Sequence, residues 1–285
     1  MKIKTAQDYL KSLRKLNHKV YYKGKRIKDV TRHPATAPHV RAAAVTYALA
    51  NDPEYKELAT AASHLTGKTV SRFTHVHRNA EDLIKKVKLL RVLGQKTGSC
   101  FQRCVGLDGI NAAYSVTYEI DQKCGTDYFE RFKKWLAYIQ EENLMVVGAM
   151  TDPKGDRSKG PAEQVDPDQY LRIVERRDDG LVIRGAKLHM TGGVNSHEIL
   201  IMPTTAMDEK SKDYAVVCAI PADAPGVTMI FGRQANDDRK DNRERIDSGN
   251  PVFGGVGGEA VIAFEDVFVP WERVFMNGET EFTNA

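Results

Sequence analysis

Two cysteines four residues apart are the sharpest chemical feature of this sequence. Cys100 and Cys104 sit in GQKTGSCFQRC, residues 94–104. On a helix that spacing places both sulfurs on one face, with Cβ atoms about 5–6 Å apart. Thiolates so placed are soft ligands for zinc or for the irons of one cluster, and Arg103 beside them would favour the thiolate form. The alternative is that two small apolar side chains line a helix seam, since free cysteine is commonly buried. Spacing alone favours the seam, because two ligands do not close a site of four. Cys124 and Cys218 complete no recognisable pattern.

Three further motifs could do chemistry. In AMTDPKGDR, residues 149–157, Pro153 and Gly155 shape a loop behind a strand. Its N–H groups, the Thr151 hydroxyl and Arg157 could hold a phosphate or a polar ring edge; the alternative is a solvated turn. In GAKLHMTGGVNSH, residues 185–197, Thr191 and the Gly192-Gly193 pair end a strand where backbone can approach a flat ligand. His189 and His197 are acid–base groups or ligands, or ordinary hydrogen-bonded strand residues; taken singly, each is read as the latter. FGGVGGEA, residues 253–260, is glycine-rich but precedes a strand, so it is neither a P-loop nor a dinucleotide fingerprint. Glu259 opens that apolar strand, as a buried functional acid or a strand-end charge. The basic KKVKLLR, residues 85–91, reads as a solvated helix face, with a phosphate-binding face as the sharper alternative.

Elements to position these motifs are legible. Helical periodicity runs over 5–17, behind Thr5 as cap, and over 38–50, 53–65 and 79–94. On the last, Leu83, Ile84, Val87, Leu90 and Leu93 share one face. Further helices run from near Cys100 to about Gln122 and over 128–142. An extended piece, Val20-Tyr21-Tyr22 and Arg26-Ile27, turns at Lys23-Gly24. Strand signals begin near residue 145: MVVGAM, a hairpin of YLRIVER and LVIRGAKLHM, then EILIMPT, YAVVCAI, VTMIF and AVIAFEDVFVP. The reading is α+β: a helical N-terminal domain over 1–144, an antiparallel β domain over 145–275, and 276–285 as a linker onward.

With 285 residues, 41% apolar and 28% charged, the chain suits a soluble globular protein able to bury a core without disulfides. It carries no run of about 18 apolar residues and no signal-like h-region, so no membrane association is expected. Four cysteines without an export signal point to a cytoplasmic, reducing compartment. Residues 1–100 hold 21 Lys and Arg against 7 Asp and Glu; the remainder holds 21 against 31. The basic half faces an anionic cofactor or the acidic half rather than nucleic acid, since no nucleic-acid-binding pattern accompanies it.

Taken in order, LGQKTGSCFQRC, YEIDQK, GAMTDPKGDR, RGAKLHMTGGVNSHE and GGEAVIAFEDVFVPWERVF resemble one family. It is the flavoprotein family of 4-hydroxybutyryl-CoA dehydratase/vinylacetyl-CoA Δ-isomerase, akin to 4-hydroxyphenylacetate 3-monooxygenase and, in fold, to acyl-CoA dehydrogenases with their barrel-like β domain. The resemblance implies FAD and a [4Fe–4S] cluster as cofactors, an acyl-CoA substrate and a homo-oligomer. It makes Cys100 and Cys104 cluster ligands and puts Gln102 at the substrate. It makes Met150, Thr151, Gly155, Asp156 and Arg157 the first flavin loop, with His189, Met190 and Thr191 the second, and places Glu259 near the active site. In the family the other cluster ligands, a tyrosine and another glutamate come from a C-terminal helical domain absent from this sequence, so a fragment or a separate partner chain is expected. The implied reaction takes water from 4-hydroxybutyryl-CoA to give crotonyl-CoA. The C3 hydrogen is not acidic, so a radical route is needed, with the cofactors carrying the hard chemistry. An FAD-dependent aromatic monooxygenase and a non-catalytic half-subunit are the alternatives.

Overall fold

The computed structural model describes residues 3–103, 105–232, 250, 252–254 and 258–284. The N-terminal part comprises α1 (Ala6–Leu13), the hairpin β1 (Val20–Tyr22) and β2 (Lys25–Ile27), α2 (Ala37–Leu49), the short α3 (Lys56–Ala59), the hairpin β3 (Thr60–Ala62) and β4 (Thr69–Ser71), α4 (Ala80–Thr97), α5 (Val105–Cys124) and α6 (Tyr128–Glu141). Strands follow: β5 (Val146–Ala149), β6 (Arg172–Arg177), β7 (Gly180–Lys187), β8 (Glu198–Ile201), β9 (Val216–Pro221), β10 (Val227–Phe231), β11 (Ala260–Pro270) and β12 (Val274–Asn277). Local chemistry sets several boundaries. Thr5 and Asp8 form a reciprocal capping box on α1, and the Asn79 side chain caps α4.

Most strands form two sheets, one ordered β2-β1-β10-β11-β7-β6 and one ordered β12-β9-β8-β5. Neither closes on itself, and each contains one parallel pair, β1 with β10 and β5 with β8. The expected antiparallel, barrel-like domain is therefore corrected to two open mixed sheets. The reason is long-range: the N-terminal hairpin adds itself to the edge of the larger sheet, with Val20 opposite Met229.

The layers follow from strand alternation. Val147, Ala149, Ile199, Ile201, Val216 and Cys218 turn toward the six-stranded sheet and meet Leu181, Ile183, Ile262 and Phe264. Their neighbours Val146, Leu200, Val217 and Ala219 turn the other way, onto Ile110, Phe132, Trp135 and Ile139 of α5 and α6. The small sheet is buried on both faces, which is why its strands read as unbroken apolar runs.

Three helical expectations change. The helix over 53–65 stops at Ala59, because Thr60–Ala62 pairs with Thr69–Ser71 instead. On α4, Leu89 and Leu93 are buried, whereas Leu83, Ile84 and Val87 are 48, 54 and 63% exposed; the helix presents Leu89, Leu93 and Thr97 to α2 and Phe73. Cys100 lies in the loop before α5, not on a helix, and Cys104 lies outside the described residues. Among the described residues, no helix is long and apolar enough to cross a membrane.

Candidate functional site

Gln102 is the centre of the most unusual local geometry. Its backbone is left-handed, with φ at 64°, a region that costs a non-glycine residue free energy. Only 3% of it is exposed. Its N–H donates to Cys100 Sγ at 3.4 Å and its Nε2 donates to Cys100 O at 3.3 Å. Its Oε1 is buried without a partner among the described residues.

Two glycines close around it. At Gly192, where φ is 82°, an added Cβ would overlap the Gln102 carbonyl oxygen. At Gly258 a Cβ would lie 2.6 Å from Gln102 Nε2 and 2.7 Å from His39 Nδ1. Gly192 therefore lies against the Gln102 backbone carbonyl at a distance only glycine permits, and Gly258 lies against its side-chain amide. Met190 and Ala260 exchange backbone hydrogen bonds at 2.9 and 3.2 Å, which fixes the Gly192 turn against the strand opened by Glu259. Glu259 Oε2 is likewise buried and unpartnered among the described residues. Across the loop, Ser99 Oγ donates to Gly254 O, and Arg41 Nε donates to Val252 O at 2.7 Å.

Three of the four motifs thus converge: Cys100 and Gln102, Met190 to Gly192, and Gly258 to Glu259. Thr191 is half-buried and His189 exposed, the latter in a left-handed conformation with φ at 56°. The fourth motif joins at its near end. Leu188 N donates to Thr151 O at 2.7 Å, and Lys187 Nζ donates to Met150 O at 2.9 Å and to Met202 O at 3.0 Å. The same ammonium lies 2.8 Å from Asp152 Oδ1, and both side chains are buried. Burial lowers the Lys187 pKa, while the Asp152 carboxylate pulls it back up. Gly155, Asp156 and Arg157 lie further out, on the exposed part of the loop. There the Asp156 carboxylate accepts from Ser158 N and Oγ, which lowers its pKa, and Gln164 pairs with the Asp156 backbone.

Other candidates resolve as structural. Arg103 turns away from Cys100 into the core: its guanidinium lies 4.4 Å from the Tyr47 ring centroid and bonds Thr46 Oγ1 and Leu144 O. It is therefore not the cation expected to favour the Cys100 thiolate. His197 is not an acid–base group. Its Nδ1 accepts from Met145 N at 3.2 Å, which leaves Nε2–H to donate to Ser12 Oγ at 2.9 Å. Burial first, then the charges of Lys4 and Arg103, push its pKa down to about 3. The Cys218 thiol is fully buried and pushed up to about 12 by that burial. Of the basic run on α4, Lys85 pairs with Glu57 and Glu81, and Lys86 with Asp108.

The residues that hold the geometry but escaped sequence reasoning are His39, Lys187 and Asp152. Lys187 and Asp152 lie inside motifs already noted, but a charge in a strand carries no sign of its burial. His39, inside an alanine-rich helix, gives no signal.

The cradle of buried oxygens without partners among the described residues, beside glycine backbone, suits a polar planar ligand. The exposed Cys100 thiol, with an N–H directed at its sulfur, suits a metal-bound thiolate. Among the described residues, no group of three or more His, Cys, Asp or Glu side chains could hold a metal ion.

The family described as 4-hydroxyphenylacetate 3-hydroxylase N terminal matches residues 5–276. The chain belongs to that family. A 4-hydroxybutyryl-CoA dehydratase/vinylacetyl-CoA-Δ-isomerase of Clostridium aminobutyricum is 55% identical over 279 residues, 98% of this chain and 56% of that protein. The oxygenase component of 4-hydroxyphenylacetate 3-monooxygenase from Thermus thermophilus is 27% identical over 99% of this chain and 56% of its own. Among solved structures, an archaeal 4-hydroxybutyryl-CoA dehydratase from N. maritimus superposes with a TM-score of 0.92 at 51% identity, covering 99% of this chain and 56% of that one. The monooxygenase oxygenase component complexed with FAD gives 0.80 at 26% identity, with the same coverage. The chain thus spans 56% of the length of these relatives.

Proposed function

We propose that this chain is part of an enzyme that dehydrates 4-hydroxybutyryl-CoA to crotonyl-CoA and isomerises vinylacetyl-CoA, using FAD and a [4Fe–4S] cluster in a radical mechanism. One observation carries the reading: identity to the dehydratase relative is 55%, against 27% to the monooxygenase.

The residues fit the roles. Cys100, exposed in its loop, would be one cluster ligand, with Cys104 four residues on as a second. Met150 to Arg157 and His189 to Thr191 would hold the flavin, the first loop stapled to the second by Lys187 and Thr151. When bound, the flavin supplies one-electron chemistry and the cluster a Lewis-acidic iron. The chain's own part is positional. Gln102 Oε1 would accept from the substrate's hydroxyl, and Glu259 Oε2 would take or return a proton at the acyl chain. Gly192 and Gly258 exclude water by bringing backbone to within contact of Gln102. The reading includes the acyl-CoA-dehydrogenase-like arrangement, a homo-oligomeric assembly and a further helical domain that completes the site.

The test is anaerobic purification of the protein expressed from its complete reading frame, with flavin, iron and sulfide analysis and assay of crotonyl-CoA formation. The expected result is bound FAD, about four irons per chain and dehydratase activity. Cys100→Ala is expected to lower iron content while flavin is retained; unchanged iron would refute the ligand assignment. The family match keeps a monooxygenase as the second reading. Hydroxylation of a phenol with oxygen uptake and no iron would establish it instead.

A further inference from the structure

The segment between Asp8 and Asp29 holds eight lysines and arginines and no acidic residue. It folds back on itself through the β1–β2 hairpin. Between the end of α1 and the chain leaving β2 lies a cleft of about 430 Å³, within the range of small-molecule sites. Arg14, Arg26 and Lys28 line it, all with exposed side chains. Arg14 Nε donates to Thr31 Oγ1 at 2.8 Å, and Arg26 reaches Asn17 Oδ1 at 3.4 Å. The acid in the wall, Asp29, accepts from Thr31 N and Oγ1 and lies 3.8 Å from Arg14 Nε.

His18 also lines the cleft and is only 7% exposed. Its ring bonds to the Ser196 backbone, and its Nε2 is buried without a partner among the described residues. Burial lowers its pKa, opposed by Asp223. A neutral ring that donates from one nitrogen offers a lone pair at the other, and leaving that acceptor unmatched costs free energy. The cleft wall therefore includes a histidine that carries a buried, unmatched acceptor, with cations at the rim. One ligand chemistry satisfies both: phosphate at one end and a hydroxyl or amine donor at the other.

We infer that this cleft binds a phosphorylated nucleotide, with its phosphates toward Arg14, Arg26 and Lys28 and a ribose hydroxyl or base amine toward His18 Nε2. The assignment does not rest on the dehydratase reading. Coenzyme A and a free adenine nucleotide share this chemistry.

Calorimetric titration of the protein with ADP, coenzyme A and inorganic phosphate tests it. ADP is expected to bind at one site, and Arg26→Ala combined with Lys28→Ala to weaken it at least tenfold. Both side chains are exposed, so the fold survives, which circular dichroism checks. His18→Asn retains a donor toward Ser196 and removes the Nε2 acceptor; it is expected to weaken ADP and leave phosphate unaffected. Coenzyme A binding more tightly than ADP assigns the cleft to the thiol-bearing nucleotide, and ADP binding more tightly than coenzyme A to the free one. No binding of either, phosphate as tight as ADP, or affinity unchanged in the double variant would each overturn the inference. Flavin and iron contents report on the dehydratase reading separately.

Discussion

Gln102 combines three costs that a structural residue would shed: a left-handed backbone, near-complete burial and an amide oxygen with no partner among the described residues. Such strain persists where surrounding structure enforces it, and it gathers at functional sites. Here the enforcement comes from Gly192 and Gly258. Gly258→Ala should push the Gln102 amide and the His39 ring apart, since its Cβ would meet both below 3 Å. The expected cost is about 1–3 kcal/mol of stability, with activity falling further than stability does. Urea denaturation alongside turnover measures both; a variant with unchanged turnover would remove Gln102 from the site.

At the scale of elements, the decisive device is the buried Lys187–Asp152 pair that joins β7 to the loop after β5. All three ammonium protons have acceptors: Met150 O, Met202 O and Asp152 Oδ1. Lys187→Met leaves Asp152 buried and unpaired, so a loss of about 3–5 kcal/mol is expected, with weaker flavin retention as the loop loosens. Adding Asp152→Asn should return part of the stability, because the isolated charge is then gone. A double variant no more stable than the single one would show that the pair is not coupled. This clamp was half legible in the sequence. AMTDPKGDR and GAKLHM stand out as loop and strand end, but nothing in either says that their charges meet. The apolar runs MVVGA, EILI and YAVVCAI announced their strands because burial on both faces leaves no polar alternation. The four-residue strand Val274–Asn277, just after Pro270 and Trp271, was too short to stand out. Cys100 was misplaced on a helix because i,i+4 spacing is equally available to a loop; only the break at Gly98 separates the two helical patterns.

For the whole molecule, a buried histidine and a hydrogen-bonded carboxylate make acid stability predictable. His197 sits at about 3 when folded against an ordinary 6.5. The unfolded chain therefore takes up its proton first, and the stabilisation is complete above pH 6.5 and lost as pH falls toward 3. At pH 5 His197 alone should cost about 2 kcal/mol. His18, His33 and His77, each lowered by burial, act in the same direction. Burial alone would raise Asp82, but bonds from Arg78 N–H, His75 and Arg72 outweigh it and hold the carboxyl at about 2. Its contribution is present above pH 3.8 and lost as pH falls through 2. Urea midpoints at pH 7 and pH 5 test the histidine share: His197→Gln should shrink the drop by about 2 kcal/mol, and an undiminished drop would reject it.

The parallel seam between Val20–Tyr21 and Met229–Ile230 carries a temporal consequence. A ribosome releases the first hairpin early, yet its partner strand emerges only about 200 residues later. Until then the lysine-rich arm hangs unattached to any sheet, and parallel closure over so long a span is slow. Nascent chains stalled before residue 227 should be clipped by trypsin within that arm, whereas those extended past β11 resist.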